Sequence, residues 1–500
     1  AVVSAIIRLT LNYVLIRLSF ATGADLSIEI YSRTLYQEYA IHIGRNSSEV
    51  INGIITKTNT VIHSVIKPVL DLISSTLLLI GVMVALLNID FIIAITAFSG
   101  FGLIYFGIIL FTRQYLLENS ISVARESSQM IKSLQEGLGG ICNVLIDGTQ
   151  KFYSQLYRNA DLPLRKAQGN NQFISSSPRY VLEVVGITLI AGLAYSMSQQ
   201  AGGITTAIPV LGALALGAQR LMPALQLAYG SLSSIKGSTM SLIDVLDLLD
   251  QPLPDNTNKT HASPIAFQQN INLNNISFRY SPDAPWVIKN INLKLKKGTC
   301  IGIVGATGSG KSTLIDILMG LLPPTEGKIV VDRQAITLKN RSAWQSHIAH
   351  VPQNIYLSDS SIEENIAFGL PKDEINFNRV KQAAHRAQIS DLIESWPKQY
   401  KTFVGENGIR LSGGQRQRIG IARALYKQAD VIIFDEATSA LDNKTELVVM
   451  EALESLGSEI TILIIAHRLT TIKNCDQIIE IVNNNVLHIA KYDELIDATK

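Results

Sequence analysis

Five mostly apolar stretches, at about 1–22, 68–88, 89–111, 180–198 and 204–229, fill most of the N-terminal half of this 500-residue chain. A helix rises about 1.5 Å per residue, so about 20 such residues span the hydrocarbon of a bilayer. Strand-length runs in a soluble core do not reach these lengths. The apolar excess is local, because it fades after about residue 245 while only 17% of the whole chain is charged. A membrane α-helical domain over 1–250 follows. The second and third stretches are parted only by a turn near Asn88 and Asp90.

Charge gives the topology. Segments 25–67 and 112–179 carry many basic residues, among them Arg33, Arg45, Arg113, Arg125, Arg158, Arg165 and Lys166, whereas the links near 88–90 and 199–203 carry none. With the C-terminal half taken as cytosolic, both basic segments lie on that same side, in agreement with the excess of Lys and Arg expected there. Residue 1 falls on the outer side without a signal peptide, and an odd span count starting at Ala1 predicts one further helix upstream. The cytosolic links mix apolar and charged residues at helical spacing over 25–38 and 121–138, which predicts rods projecting into water. Gly44-Arg45-Asn46-Ser47-Ser48-Glu49 should break the first rod, with Ser47 or Ser48 capping the next helix. Cys142, Cys300 and Cys475 have neither metal-ligand spacing nor a pairing pattern and fit structural roles in a reducing compartment. A formal net charge of +2 without a long basic run gives nucleic acid no footing as a partner.

Residues 251–264 are polar, contain Pro252, Pro254 and Pro264, and read as a linker to a second domain over 265–500. There, short strand-like runs alternate with helical patterns, as in a parallel α/β core. Gly305-Ala306-Thr307-Gly308-Ser309-Gly310-Lys311-Ser312 matches G-x-x-x-x-G-K-[ST], between a strand at 300–304 and a helix at 311–321. Glycines let backbone amides and the helix start approach phosphates. Lys311 is placed to reach the β- and γ-phosphates, and the Ser312 hydroxyl to ligate Mg²⁺. A second buried strand, 431–434, ends in Asp435 and Glu436. Asp435 suits the Mg²⁺ shell and Glu436 a base that polarises the attacking water. Leu411-Ser412-Gly413-Gly414-Gln415 precedes an Arg-rich helix and forms another anion site from free amides.

A P-loop alone is generic. Together with LSGGQ, the Asp435-Glu436 strand end and His467 after the apolar run 460–466, the chain resembles the ATP-binding cassette (ABC) family. The resemblance implies a P-loop NTPase domain with an inserted helical subdomain, binding ATP and Mg²⁺. It implies that Tyr280 stacks on adenine, that Gln353 joins Mg²⁺ and water to the membrane domain, and that His467 senses the γ-phosphate. Ser439-Ala440-Leu441-Asp442 resembles the loop that crosses to the partner subunit. In such dimers each ATP lies between the P-loop residues of one subunit, with Thr313, and Ser412, Gly413, Gly414 and Gln415 of the other. One cassette per chain implies a second copy, a homodimer.

A membrane domain ahead of the cassette is similar to six-helix exporters, so five of six expected spans are present. Thr402-Phe403-Val404-Gly405-Glu406-Asn407-Gly408 resembles the exporter segment that contacts coupling helices, with Phe403 where many members have Glu. By the same resemblance the coupling segments lie at 42–47 and 126–134. Residues 36–49 and Gly217-Ala218-Gln219-Arg220-Leu221-Met222-Pro223 resemble the branch that flips lipid-linked oligosaccharides. Arg220 sits in an apolar run, where a charge is costly unless it meets a partner or a wet cavity, so it is a candidate for an anionic head group such as a diphosphate. Arg8 is a weaker candidate. Snorkelling or an internal ion pair would serve Arg220 equally well, and is the favoured reading of Arg8. The implied function is ATP-driven flipping or export of a lipid-linked or amphipathic substrate, with membrane lipids as partners, in a bacterial inner (plasma) membrane with a cytoplasmic ATPase. Drugs and peptides are the next substrate classes. A non-transport ABC ATPase would explain the cassette but leaves the five spans without a purpose.

Overall fold

Helices run over each of the five apolar stretches in the computed structural model, which describes residues 2–88, 91–198, 203–253, 265–436, 446, 460–466, 469–482, 485–492 and 494. The chain divides into two units, 1–37 with 41–254 and 38–40 with 255–500. The first is all helical: α1 (Val2–Leu35), α2 (Tyr39–Gly44), α3 (Ser47–Asn52), α4 (Thr58–Val61), α5 (Lys67–Leu87), α6 (Phe91–Gly139), α7 (Ile141–Ile146), α8 (Gln150–Ser176), α9 (Pro178–Ser198), α10 (Gly203–Gly237) and α11 (Thr239–Leu249). Its apolar side chains point outward, with Leu9 74% and Leu103 71% exposed. Water would penalise that surface and hydrocarbon would cover it. Among the described residues, Ala5–Leu35 and Ser47–Leu87 are long and apolar enough to cross a bilayer.

Two π turns, Gly53–Lys57 and Ile62–Ile66, join α3, α4 and α5 into one rod. Pro68 at the start of α5 lacks the N–H that would bond the carbonyl of residue 64, and its ring crowds that carbonyl, so the wider turn falls just before it. At the other turn the Thr58 hydroxyl donates to the Gly53 carbonyl, 2.9 Å away. Ile30, Val61, Val65, Val245 and Leu248 pack α1, this rod and α11 into a shared core. Lys57 crosses to Asp244 at 2.6 Å.

Three local expectations change. The first rod ends at Leu35, before residues 44–49, and a separate short α2 precedes the break. The cap of α3 is Asn46, whose side chain accepts from the Ser48 amide; Ser47 and Ser48 lie inside the helix. Residues 126–134, expected from the resemblance to hold the second coupling segment, lie within continuous α6, and the chain turns only at 139–149 around α7. Residues 121–136 contain no Gly or Pro, whereas Gly137, Gly139 and Gly140 supply the break.

The second unit holds two sheets. Strands β1 (Asn270–Phe278), β2 (Ile288–Lys296), β3 (Cys300–Gly305), β4 (Glu326–Val331), β5 (Gln334–Ala335), β6 (Ile348–Val351), β7 (Val431–Asp435), β8 (Thr461–Ile465), β9 (Gln477–Val482) and β10 (Asn485–Ala490) order as β2-β1-β4-β5 and β10-β9-β3-β8-β7-β6. The larger sheet is parallel from β9 to β6, with β10 antiparallel at its edge. The smaller sheet is wholly antiparallel, so the domain is not only the parallel core that its alternating pattern predicts. Helix α12 (Lys311–Leu318) follows β3, and α13 (Arg341–Gln345) precedes β6. Between β6 and β7 come α14 (Ile362–Ile366), α15 (Phe377–Arg386), α16 (Ser390–Ser395) and α17 (Gly413–Lys427). Val380, Ala384, Ile393, Tyr400, Ile419 and Ala422 pack this helical insertion into a buried cluster shared with the parallel sheet at Ala349, Phe434 and Ile464.

The cysteines also depart from expectation. Parallel pairing of β3 with β9 brings Cys300 to Cys475, with Sγ atoms 3.0 Å apart. The Asp476 amide donates to the Cys300 carbonyl at 2.9 Å, which fixes the approach. A thiol-directed oxidant that accepts two electrons and two protons is expected to join them in a disulfide. Closing so long a loop should stabilise the domain by about 2–4 kcal/mol. A melting temperature that rises on oxidation, and does not in Cys300→Ser, checks this.

Candidate nucleotide-binding site

β3 enters the fully buried interior and releases the chain at Gly305, where a Cβ would stand 2.4 Å from the Ile481 carbonyl oxygen. At the far end, Gly310 caps α12 with φ 96°, and a Cβ there would meet the Val287 carbonyl oxygen at 2.8 Å. Only glycine fits both ends, so the loop lies flat against its neighbours. Ala306, Thr307 and Gly308 form its exposed tip. Lys311 is buried, and its ammonium turns inward to donate to the carbonyls of Gly305 and Ala306 at 2.8 and 2.9 Å. The buried Ser309 hydroxyl has no partner among the described residues, an orphan that a phosphate oxygen would satisfy. Ser312 is exposed on the first turn of α12, and Thr313 is buried behind it. The Tyr280 hydroxyl is 3.3 Å from that of Thr313, its ring is 54% exposed, and Phe278 packs edge-on against it at 5.0 Å. An aromatic face is therefore open beside the phosphate loop.

β7 carries Asp435 at its tip and Glu436 one step beyond. Glu436 takes φ 51°, a left-handed conformation unusual for a non-glycine residue, and its amide donates to the Ile465 carbonyl at 3.1 Å. The Gln353 side-chain amide donates to its carboxylate at 2.7 Å, joining residues 83 positions apart. Asp316 on α12 adds a further acid: burial first, and the charge of Asp435 second, push its carboxyl up to about 6. This corner is crowded with negative charge. The Ser312 hydroxyl, the Asp435 carboxylate and the Gln353 amide oxygen are hard oxygen donors, which fits Mg²⁺ completed by phosphate oxygens. Among the described residues no larger acid, His and Cys cluster competes for a metal.

Ser412 caps α17 in a reciprocal capping box: the Gln415 amide donates to the serine hydroxyl at 3.3 Å, and the Ser412 amide donates to the Gln415 side-chain oxygen at 2.9 Å. Gly413 and Gly414 add no side chains, so the first turn presents bare amides. Gln353 and Gly413 line one cavity of about 600 Å³, together with Tyr356, Asn407 and Arg416. Thr402 and Val404, on either side of the exposed Phe403, pair with Ser360 and Ile362.

Arg423 was not singled out by the sequence, which marks α17 only as Arg-rich. Its guanidinium donates to the carbonyls of Asn365 and Tyr356 at 2.9 and 3.0 Å and lies over the Phe368 ring. It thereby ties the signature helix to the segment that follows Gln353. Burial lowers its pKa to about 10, so it stays charged at neutral pH. His467, Ser439, Ala440, Leu441 and Asp442 lie outside the described residues, as do the side chain of Arg220 in α10 and residues 254–264 of the linker. Arg8 lies on α1 and is exposed.

Residues 288–439 match the family model described as ABC transporter. Along nearly its whole length the chain is similar to the ATP-dependent lipid A-core flippase of Ralstonia nicotianae, at 28% identity over 99% of this chain and 84% of that protein. The flippase of the same name from Cupriavidus metallidurans is similar to the same degree, over 99% and 83%. The Leukotoxin translocation ATP-binding protein LktB of a Pasteurella haemolytica-like species is 42% identical, but over only 50% of this chain and 35% of that protein. Among solved structures, that of a bacterial Atm1-family ABC exporter with ATP bound shares the fold with a TM-score of 0.85, at 23% identity over 98% of this chain and 85% of that one. Residues 288–439 are thus an ABC transporter domain, and with the helical unit that precedes it in sequence the chain has the make-up of an exporter half-transporter whose ATP hydrolysis is coupled to transport.

Proposed function

We propose that two copies of this chain flip a lipid-linked oligosaccharide or polysaccharide precursor across a bacterial inner membrane. The observation that carries the reading is the reach of the similarity. Likeness to the lipid A-core flippases extends through the membrane half, whereas likeness to the leukotoxin translocators covers half of the chain. The cassette is the motor common to many cargoes, so the membrane half carries the information about substrate. The motifs at 36–49 and 217–223 favour the oligosaccharide branch over drugs and peptides.

In this reading the amides of 305–310 and the Lys311 ammonium bind the ATP phosphates, with Thr313 behind them and Tyr280 against the base. The partner's copy of 412–415 closes over the γ-phosphate with its bare amides. Ser312, Gln353 and Asp435 would hold Mg²⁺, which when bound would supply neutralisation of the phosphate charge. Glu436 orients and deprotonates the attacking water, and His467 contacts the γ-phosphate. Closure of the cassettes changes the membrane domain only if both ligands distinguish the open and closed states.

Reconstituting the full-length protein and measuring ATPase stimulation and flipping with a series of lipids tests the proposal. Stimulation by a polyprenyl-diphosphate glycan, and not by amphipathic drugs or peptides, is the expected pattern; the reverse pattern refutes it. Arg220→Ala is expected to raise the half-stimulating concentration of that lipid about tenfold, the worth of one charge-assisted hydrogen bond. Unchanged stimulation and transport would remove Arg220 from the substrate site.

A further inference from the structure

A cleft of about 490 Å³ opens in the helical unit between the rod at 55–64, α6 at Val123, α8 at 168–175 and α10 at 233–238. Its volume is in the usual range for small-ligand sites. Twelve of its fifteen lining residues carry hydrogen-bonding side chains, among them Thr56, Asn59, His63, Gln168, Gln172 and Ser234. None is Asp, Glu, Lys or Arg. The contrast lies in the same unit, where a second cleft is lined by Arg45, Lys57, Arg125, Glu49, Asp244 and Asp247.

The position of the neutral cleft is equally specific. All four walls lie about 4–13 residues past the cytosolic end of a predicted span: 55–64 before the span at 68, Val123 after that ending at 111, 168–175 before that at 180, and 233–238 after that ending at 229. At the helical rise these offsets amount to roughly 6–20 Å past the hydrocarbon. That range begins in the head-group layer of the cytosolic leaflet, about 5–8 Å thick, and continues beyond it, where a glycan carried on a lipid extends while the tail stays in the bilayer. Both π turns lie in one wall, placing Thr56, His63 and Ser64 in the lining. Such turns recur at functional sites because they re-aim side chains at a cost in regular bonding. The ring of Phe20 meets His63 edge-on at 5.3 Å and gives the hydroxyl-rich wall an aromatic border.

We infer that this cleft receives the uncharged, polyhydroxylated glycan portion of the substrate; the inference rests on the flippase reading above. Sugar hydroxyls both donate and accept, as Ser, Thr, Asn and Gln do. An anionic group would find no Lys or Arg here, and an apolar molecule would cover a lining rich in polar side chains without bonding to them. The diphosphate end of a carrier lipid therefore belongs elsewhere, and this cleft reads sugar. Gly237 lets Asn171 close one end, where its amide donates to the Gly237 carbonyl at 3.3 Å, so Asn171 is structural and is a poor site to test. Asn59 and Gln172 are the better choices, since both are exposed to the cleft.

The test uses the full-length transporter in lipid nanodiscs, unmodified and as the Asn59→Leu/Gln172→Leu double variant, with basal ATPase as the check on folding. Three probes are compared: a polyprenyl diphosphate bearing neutral hexoses, the same polyprenyl diphosphate without sugar, and a free neutral oligosaccharide such as maltoheptaose. In the variant the half-stimulating concentration of the glycan lipid should rise about tenfold, as expected for losing two neutral hydrogen bonds, while basal rate and the response to bare carrier stay the same. Saturation transfer from protein to free maltoheptaose should be present in the unmodified protein and lost in the variant. If no lipid stimulates the unmodified protein but maltoheptaose transfer is lost in the variant, the flippase reading fails and the cleft stands. If glycan lipid stimulates both proteins equally, or both lipids shift together, the cleft assignment is overturned while the flippase reading survives.

Discussion

Glu436→Gln is expected to bind ATP and hold the closed dimer while turnover falls by about 10²–10⁴-fold, the usual contribution of a general base. That loss corresponds to about 3–5 kcal/mol on the barrier. The substitution changes one oxygen to an amide nitrogen and leaves the backbone alone, which matters because Glu436 holds a left-handed φ of 51° between Asp435 and the Ile465 carbonyl. A larger change would confound chemistry with the loss of that turn. The 2.7 Å bond from the Gln353 amide can persist to the remaining carbonyl oxygen, so the segment after Gln353 keeps its anchor. Ground-state binding should therefore survive, because the negative charge removed would repel the γ-phosphate if anything. Steady-state ATPase, nucleotide affinity and ATP-dependent dimerisation measured on the same preparation separate these effects. Normal hydrolysis would exclude Glu436 as the base, and loss of nucleotide affinity would point to a folding defect at the strand end.

Much of the cassette was legible because its chemistry needs fixed spacings. A phosphate loop must have glycine where Gly305 and Gly310 approach backbone carbonyls, and a signature turn must expose amides, so those positions are written in local sequence. Apolar runs of membrane length gave the helices for a similar reason, since the bilayer sets the length. What was not legible depends on pairing between distant segments. The proximity of Cys300 to Cys475 follows from β3 lying beside β9, and no spacing rule encodes a partner 175 residues away. The anchoring of Arg423 to Asn365 and Tyr356 has the same origin. Helix boundaries failed where two signals competed. Asn46 and the two serines after it are all competent caps, and the asparagine took the position. The helical run through 126–134 goes on to Gly139 because the local breaking signal, three glycines, comes only just beyond it. The neutral cleft was invisible in sequence because its lining comes from four separate stretches, each of which alone reads as an ordinary solvated helix face.

Lys311→Ala should abolish ATPase activity to below about 1% of the unmodified rate, matching the loss seen when one preorganised donor is removed from a charge-developing centre. ATP affinity should also fall, by about 10- to 100-fold, because a charge-assisted hydrogen bond to phosphate is worth about 1.5–3 kcal/mol. The geometry explains why no neighbour substitutes. The ammonium enters the loop from its own first helical turn and sits 2.8 and 2.9 Å from two backbone carbonyls, a space sized for three compact donors. Lys311→Arg keeps the charge but brings a planar guanidinium that this space does not admit, so it should fail almost as completely. Without nucleotide the truncation removes two hydrogen bonds at a loop with an exposed tip, where water can replace them. The melting temperature without ATP should therefore change little, and the large effect should appear as lost stabilisation by added nucleotide. Thermal unfolding with and without ATP, alongside turnover, distinguishes a phosphate ligand from a structural lysine. A variant that still gains full stability from ATP would show that the inward ammonium serves the loop and not the nucleotide.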